Sequence, residues 1–344
     1  MNDFLPRQAH VDARAKINLS LEILSRRPDG YHELMSVMAT LRLADRLFLS
    51  LRSNNQSKLN SDRAGLAPGN GSNDEFGWLV NTNDPDIPDG QSNLCYRVAQ
   101  LFCTETGIDP SSVKFEAKID KKIPSAAGLG GGSADAAAVL RFLWDCWQNG
   151  LAEKSGKERN SLSLNDLERI ALVGGADIPF CLSGGVRVCR GMGEKMTHNL
   201  KAPVIPLLLV VPNVSVQTVD AFRWFDESYS ERADECAREP LFSSTDDQWE
   251  DVLFDFNGTE FQHYAKNDFL PVVARHRPEI LSTITALRAT SAVAVSMTGS
   301  GPTCFGVFGS EDELDRAYRS LSVEMPDFLL IKTELSPETE IFSH

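Results

Sequence analysis

Residues 122–140, KIPSAAGLGGGSADAAAVL, hold four glycines and six alanines, so little side chain stands between the main chain and whatever approaches it. Gly128, Gly130, Gly131 and Gly132 have access to backbone angles closed to other residues. Directly after them, Ser133 opens an alanine-rich run of high helical propensity. A glycine loop feeding a helix N-terminus aims several N–H groups and the positive end of the helix dipole at one point, and phosphate is the usual ligand there. Two better-known phosphate loops do not fit. No Lys precedes Ser133, which rules out G-x-x-x-x-G-K-[ST]. A G-x-G-x-x-G fingerprint begun at Gly128 meets Ser133 at its sixth position and lacks the following strand with its acidic residue. A glycine-rich structural turn is the competing reading; Pro124, a small-residue run, G-L-G-G-G-S and a helix together favour phosphate. Asp177 is the second candidate. Its place after Gly174 and Gly175 and before Ile178 and Pro179 predicts a fixed, half-buried acid, against the alternative of a carboxylate ending a helix in a turn.

These groups need elements to hold them. In ARAKINLSLEI, Ala15, Ile17, Leu19, Leu21 and Ile23 share one face, and Lys16, Asn18, Ser20 and Glu22 share the other, which predicts a strand. RRPDGYH is the turn that ends it, and TLRLADRLFLSLR is the next strand or two. Residues 53–92 are rich in Asn, Asp, Gly and Ser and read as a long surface excursion. NLCYRVAQLFCTETG has helical spacing, and SVKFEAKID alternates with Val113, Phe115, Ala117 and Ile119 inward. The glycine loop and its helix follow, to about Trp147. LNDLERIALVGG is a helix with Ser163 or Asn165 at its cap and glycines at its end. CLSGGVRVCRGMGEKM is hairpin-like, and KAPVIP marks a boundary near residue 201. Beyond it come a buried strand, LLLVVP; a helix around LPVVARHRPEILSTITALRAT; a strand, glycine turn and strand in AVSMTGSGPTCFGVFG; an amphipathic helix, SEDELDRAYRSLS; and a last strand, FLLIKTEL. Without a steady βαβα rhythm, this predicts α+β in two domains, 1–200 and 201–344.

Composition narrows the function further. The net charge is −14, which argues against nucleic acid or an anionic membrane as a partner. Eleven acids face two bases between residues 226 and 255, and this block reads as a solvated surface. Seven scattered cysteines without C-x-x-C suit a reducing cytoplasm. The start of the chain lacks the basic and apolar regions of a secretion signal, and no apolar run is long enough to span a bilayer. The histidines other than His32 (His10, His198, His263, His276 and His344) have no metal-ligand spacing and read as structural.

PSAAGLGGGSADAA resembles the phosphate-binding motif of the GHMP kinases, the superfamily of galactokinase, homoserine kinase, mevalonate kinase and phosphomevalonate kinase. AKINLSLEI, RPDGYHEL, GGADIPF and TGSGPTC carry the resemblance, in order and spacing, from about residue 13 to about residue 335, apart from polar stretches at 53–92, 151–163 and 226–255. Lys-x-Asn, Gly-Tyr-His and Gly-Ala-Asp-Ile-Pro together point to the branch whose substrate is a cytidine diphosphate-linked methylerythritol. The resemblance implies the two-domain GHMP kinase fold with the site in the cleft, ATP and Mg2+ as cofactors, and phosphorylation of the substrate's 2-hydroxyl in non-mevalonate isoprenoid synthesis. A monomer or homodimer is expected, in the cytoplasm that the cysteine usage suits. Another GHMP small-molecule kinase, of homoserine or mevalonate type, and a non-catalytic kinase-like metabolite sensor are the alternatives.

The resemblance also assigns residues. Pro124, Ser125, Ala126, Ala127, Gly128, Leu129, Gly130, Gly131, Gly132, Ser133 and Ala134 would wrap the phosphates, with Ser133 on the metal. Asn93 and Lys121 would lie near the adenosine. Asp177 would accept the proton of the attacking hydroxyl, with Lys16 beside it favouring the ionised carboxylate, instead of standing as a solvated strand residue. Asn18 projects from the same strand face. Tyr31 and His32 would hold the cytosine ring by stacking and hydrogen bonding, with Phe222 covering its other side and Thr218 nearby; otherwise both are surface residues after a turn. Gly299, Ser300 and Gly301 would complete the substrate site. The family commonly has Gly at position 126 and Ser at position 134. Alanine at 126 is expected to avoid positive φ and divert the first half of the loop, and alanine at 134 to remove one phosphate contact.

Overall fold

Every second residue from Val11 to Ile23 is apolar, and all seven are buried. They belong to β1 (Arg7–Arg26), which pairs along its length with β2 (His32–Ser53). The structure is a computed structural model that describes residues 6–54, 76–158, 161–230, 246–257 and 260–337. On its other edge β2 pairs with β4 (Val113–Asp120) through one half and with β5 (Val186–Gly191) through the other. β3 (Leu79–Thr82), parallel to β4, and β6 (Lys195–Met196) complete a six-stranded mixed sheet. Four helices cover one face: α1 (Leu94–Thr106), α2 (Gly131–Cys146), α3 (Leu164–Gly174) and α4 (Ile178–Ser183).

The second sheet is antiparallel, in the order β10 (Leu329–Glu334), β7 (Pro206–Val211), β9 (Cys304–Val307), β8 (Ala294–Met297). Around it lie α5 (Thr218–Ser230), α6 (Asp246–Phe254), α7 (Glu260–Tyr264), α8 (Leu270–His276), α9 (Pro278–Arg288) and α10 (Glu311–Glu324). The fold is α+β in two parts, as the order of elements predicts. Strand β1 joins them: its apolar face enters three clusters in turn, Val11 and Ala13 under α2, Ala15 to Leu19 between the sheets, and Leu21 and Ile23 against the second sheet's helices. The Leu21 N–H donates to Lys266 O at 2.8 Å, and the Asp268 N–H donates back to Leu21 O at 2.9 Å, so the second part is sewn to the first by backbone.

Several local expectations are corrected. The alternation of β1 suggests one wet face, yet Lys16, Asn18, Ser20 and Glu22 are all at most 5% exposed: the glycine loop and Asp177 pack on Lys16, β2 bonds Asn18 and Ser20, and Thr298 bonds the backbone of Asn18. α2 begins at Gly131, two residues before Ser133. The helix expected around 270–288 is two helices, since Pro278 has no N–H to continue the first and starts the second. The polar stretch 53–92 contains β3 and a buried Trp78 whose Nε1–H donates to Val113 O; residues 55–75 of it lie outside the described residues. The acidic block reaches into α5 and α6, and residues 231–245 of it lie outside the described residues. No described helix is long and apolar enough to cross a membrane.

Candidate active site

The glycine loop is held from two sides. The Lys16 N–H of β1 donates to Leu129 O at 2.9 Å, and a Cβ on Gly130 would lie 2.8 Å from Lys16 Cγ. A Cβ on Gly128, which has φ +76°, would lie 2.9 Å from Gly301 O and 3.0 Å from Thr298 O. The loop of the first part and the β8–β9 turn of the second therefore meet backbone to backbone, and glycine is required where they touch. Asn267 braces that turn, its Nδ2 donating to Met297 O at 2.6 Å and to Gly299 O at 2.8 Å.

At the start of α2, Gly130 occupies the N-cap and has no side chain to cap with; the first intrahelical bond runs from Ala134 N to Gly130 O. The first amides of a sixteen-residue helix are thus presented without a side-chain cap. A Cβ on Gly132 would meet nothing within 4 Å, so the open approach to the loop is there, whereas one on Gly131 would press on Ile123 and Lys121.

Two expectations about the loop are overturned. Ala126 does adopt positive φ, at 53°, so the chain keeps a left-handed turn despite the Cβ, at a strain of about 1–2 kcal/mol. Ala134 is 2% exposed in the core under α2, so a hydroxyl there would not be a phosphate ligand in the cleft.

Between the two parts lies a cleft of about 860 Å³. Lys16, Asn18, Tyr31, His32, Gly128, Gly130, Ser133, Asp177, Thr218, Phe222, Gly299 and Ser300, far apart in sequence, all line it. Lys16 Nζ stands 3.4 Å from Asp177 Oδ2 and donates to Asn18 Oδ1 at 2.8 Å. Asn18 is itself fixed: its Nδ2 donates to Ser36 Oγ, and its N–H to Thr298 Oγ1 at 2.9 Å. Asp177 occupies the N-cap position of α4 but makes no side-chain cap bond. It is a half-buried carboxylate beside an ammonium, open to the cleft. This arrangement can accept a proton and stabilise charge on an attacking oxygen. Cys189 also lines the cleft, but burial pushes its thiol up to about 12, which makes it a poor nucleophile.

At the far end, His32 stacks on Phe222, with ring centroids 4.7 Å apart and planes at 16°, while Tyr31 stands exposed. Thr218 and Ser300 share a hydrogen bond of 3.1 Å across the cleft mouth. Sequence reasoning missed Asp226, the first acid of the block taken for solvated surface; His32 Nε2 lies 2.8 Å from its Oδ1. The i, i+4 spacing from Phe222 on one helix was the available signal.

The remaining candidates lie in the loop or on the elements that flank it. Asn93 caps α1, accepting from Cys95 N and donating to Pro88 O, both at 2.9 Å. Lys121 is locked between two buried carboxylates, Asp45 and Asp135, with 2.7 Å to Asp135 Oδ2. Burial, opposed by Lys121 and reinforced by Asp45, pushes the Asp135 carboxyl up to about 7. Ser125 donates to Asp84 at 2.6 Å, and that bond, with the Asp86 N–H, holds the Asp84 carboxyl below its usual range. Ala127 and Leu129 are buried in the core between the sheets; Pro124 is half-buried at the loop's beginning, and Gly301 packs on Gly128.

A glycine loop on a mixed sheet, touching a glycine turn on a second antiparallel sheet beside a cleft that holds a Lys–Asp pair, defines a GHMP-type kinase. The family models for the GHMP kinases N terminal domain and the GHMP kinases C terminal match residues 93–185 and 254–327. The chain is 33% identical over 309 residues to a 4-diphosphocytidyl-2-C-methyl-D-erythritol kinase of Bacillus pumilus, covering 90% of this chain and 91% of the relative. A relative of the same name in a Synechococcus species is 34% identical over 331 residues, covering 94% and 93%. A crystal structure of 4-(cytidine 5'-diphospho)-2C-methyl-D-erythritol kinase superposes with a TM-score of 0.68 at 26% identity, covering 96% of this chain and all of that one. The chain belongs to the 4-diphosphocytidyl-2-C-methyl-D-erythritol kinase family. Mevalonate kinase of L. major, at a TM-score of 0.67 and 14% identity, shares the fold.

Proposed function

We propose that this chain transfers the γ-phosphoryl group of ATP to the 2-hydroxyl of 4-diphosphocytidyl-2-C-methyl-D-erythritol, a step of non-mevalonate isoprenoid synthesis. The observation that carries the reading is the Lys16–Asp177 pair, at 3.4 Å, in one cleft with both the glycine loop and the His32–Phe222 stack. The cleft then has a phosphate end, a proton-accepting centre and a base-binding end, in the order that a nucleotide-linked alcohol requires.

In this reading the triphosphate lies on the amides at the start of α2 and against Gly132, where the approach is open. The substrate oxygen attacks the γ-phosphorus, its proton passes to Asp177, and ADP leaves with the electrons of the broken P–O bond. Lys16 stabilises the negative charge on the Asp177 carboxylate and so keeps it ready to take the proton. Asn18, bound to Lys16 and braced by Ser36 and Thr298, keeps the ammonium pointed at Asp177. The described residues contain no group of three or more His, Cys, Asp or Glu side chains able to hold a metal ion. A magnesium ion carried by the phosphates would be held on the protein side by the Ser133 hydroxyl, which lines the cleft beside the start of α2. Such an ion would neutralise charge on the phosphate oxygens. Tyr31, His32 and Phe222 hold the base, with Thr218, Gly299, Ser300 and Gly301 along the substrate. Asn93, at the cap of α1, and Lys121, behind Gly131, stand near the adenosine. We further assign the two domains to 1–200 and 201–344, and the protein to the cytoplasm.

Purified protein with MgATP, assayed for ADP release, should turn over the cytidine-linked methylerythritol and leave homoserine and mevalonate almost untouched. Equal turnover of either rival would replace this reading with another GHMP kinase. Binding of nucleotide without turnover of any of the three would favour the sensor.

A further inference from the structure

His32 is the side chain at the base-binding end whose hydrogen-bonding pattern is not fixed by its own chemistry. A neutral imidazole has one donor and one acceptor nitrogen, and the assignment depends on which nitrogen holds the proton. Here the neighbours make the choice. Nε2 lies 2.8 Å from Asp226 Oδ1, and a carboxylate can only accept, so Nε2–H donates. Among the described residues this is the ring's hydrogen bond, and Nδ1 is left with a lone pair on a residue that lines the cleft. The ring is further restrained: Phe222 stacks on its face, and Phe225 meets it at 89° with centroids 6.4 Å apart. Stacking alone is indifferent to which base is present. Discrimination therefore falls on the ring edge.

We propose that Asp226 is a specificity-determining positioning residue: by accepting from Nε2 it holds His32 in the tautomer whose Nδ1 accepts, and so selects an amino-bearing pyrimidine over an oxo-bearing one. Cytosine offers an exocyclic amine to that lone pair, whereas uracil offers an acceptor and would leave two lone pairs facing each other. Asp226 does not touch the substrate in this scheme; it acts through His32. Its second oxygen, Oδ2, lies 3.6 Å from the exposed guanidinium of Arg26, a contact that supplies charge but no tautomer preference. The proposal rests on the reading that the cleft takes a cytidine nucleotide.

The test has two readouts. In 15N NMR of the free enzyme, His32 should show a protonated Nε2 and a bare Nδ1, and Asp226→Ala should shift the ring to a mixture of tautomers. In steady-state assays the wild type should prefer the cytidine-linked substrate to its uridine analogue by roughly 5–150-fold in kcat/KM, the range expected for an unpaired polar group. Asp226→Ala should reduce that ratio to within a few-fold of unity while leaving KM for ATP alone. Arg26→Gln, which keeps Asp226, should leave the ratio intact. A merely structural link between α5 and the β1–β2 turn would lower both substrates alike and preserve the ratio, which would overturn the proposal. A protonated Nδ1 in the wild type would overturn it as well. Failure of the functional reading looks different: the wild type would then not turn over the cytidine compound at all, whatever the His32 tautomer.

Discussion

If Asp177 accepts the proton and Lys16 works through it, the two residues form one unit, and removing both should cost little more than removing one. Asp177→Asn keeps the shape and removes the base, so kcat should fall by roughly 10²–10⁴-fold, or about 3–5 kcal/mol of barrier. For Lys16→Met the separation sets the scale. Unit charges 3.4 Å apart attract by about 5 kcal/mol at an effective dielectric of about 20. The Asp177 side chain is 40% exposed, and water screening should leave about 1–2 kcal/mol, which is about 5–30-fold in kcat. In the Asp177→Asn background that charge has no carboxylate to act on. The double variant should therefore lie within about threefold of Asp177→Asn, so that most of the Lys16→Met loss, up to about 1–2 kcal/mol, appears as coupling. The assay is ADP release with KM for ATP followed in parallel, and circular dichroism melts to verify the fold. The KM should stay within a few-fold, because neither residue is part of the glycine loop. Near-wild-type turnover of Asp177→Asn, or strict additivity of the two losses, would refute the reasoning.

Gly132→Ala places its Cβ in open space, so stability should change by less than about 0.5 kcal/mol. ATP affinity measured by calorimetry should nonetheless fall about tenfold or more as one charge-assisted contact is lost; unchanged affinity would move the phosphates away from this residue. Ala126→Gly relieves a φ of 53°, and thermal melts should show a gain of up to about 1 kcal/mol after the entropy of a new glycine is subtracted. Asp135 binds its proton more tightly in the folded state, at about 7 against 3.8. Its contribution to stability is therefore full below about pH 4 and lost as pH rises through 7. Denaturant titrations across that range should show the slope in the wild type and a flatter curve in Asp135→Asn.

Local features were readable because their causes are local. Period-two alternation made β1 a strand, Ser163 and Asp166 formed the capping box of α3, and the glycine run before alanines formed a loop and a helix. Lys16, Asp177, Tyr31, His32 and the phosphate loop could be singled out because their motifs are contiguous. The misreadings share a cause of the opposite kind. A row of polar side chains on a strand looks the same whether water or protein covers it, and Lys16 and Asn18 are met by Gly130, Asp177 and Thr298, some 110–280 positions away. Asp226 sits in a run of acids that composition assigns to solvent, and 194 residues separate it from the imidazole it binds. Asp45 and Asp135, paired through Lys121, are likewise unremarkable in their own neighbourhoods. Ala126 takes a left-handed angle that its side chain opposes, in a loop held by Asp45 and Asp84 on one side and by Lys16 N–H on the other. Propensity and periodicity act through neighbours along the chain and suffice for strands, helices and motifs. A cleft between two sheets is made by contacts that close long loops, and which polar groups end up dry and facing each other is settled only when those loops close.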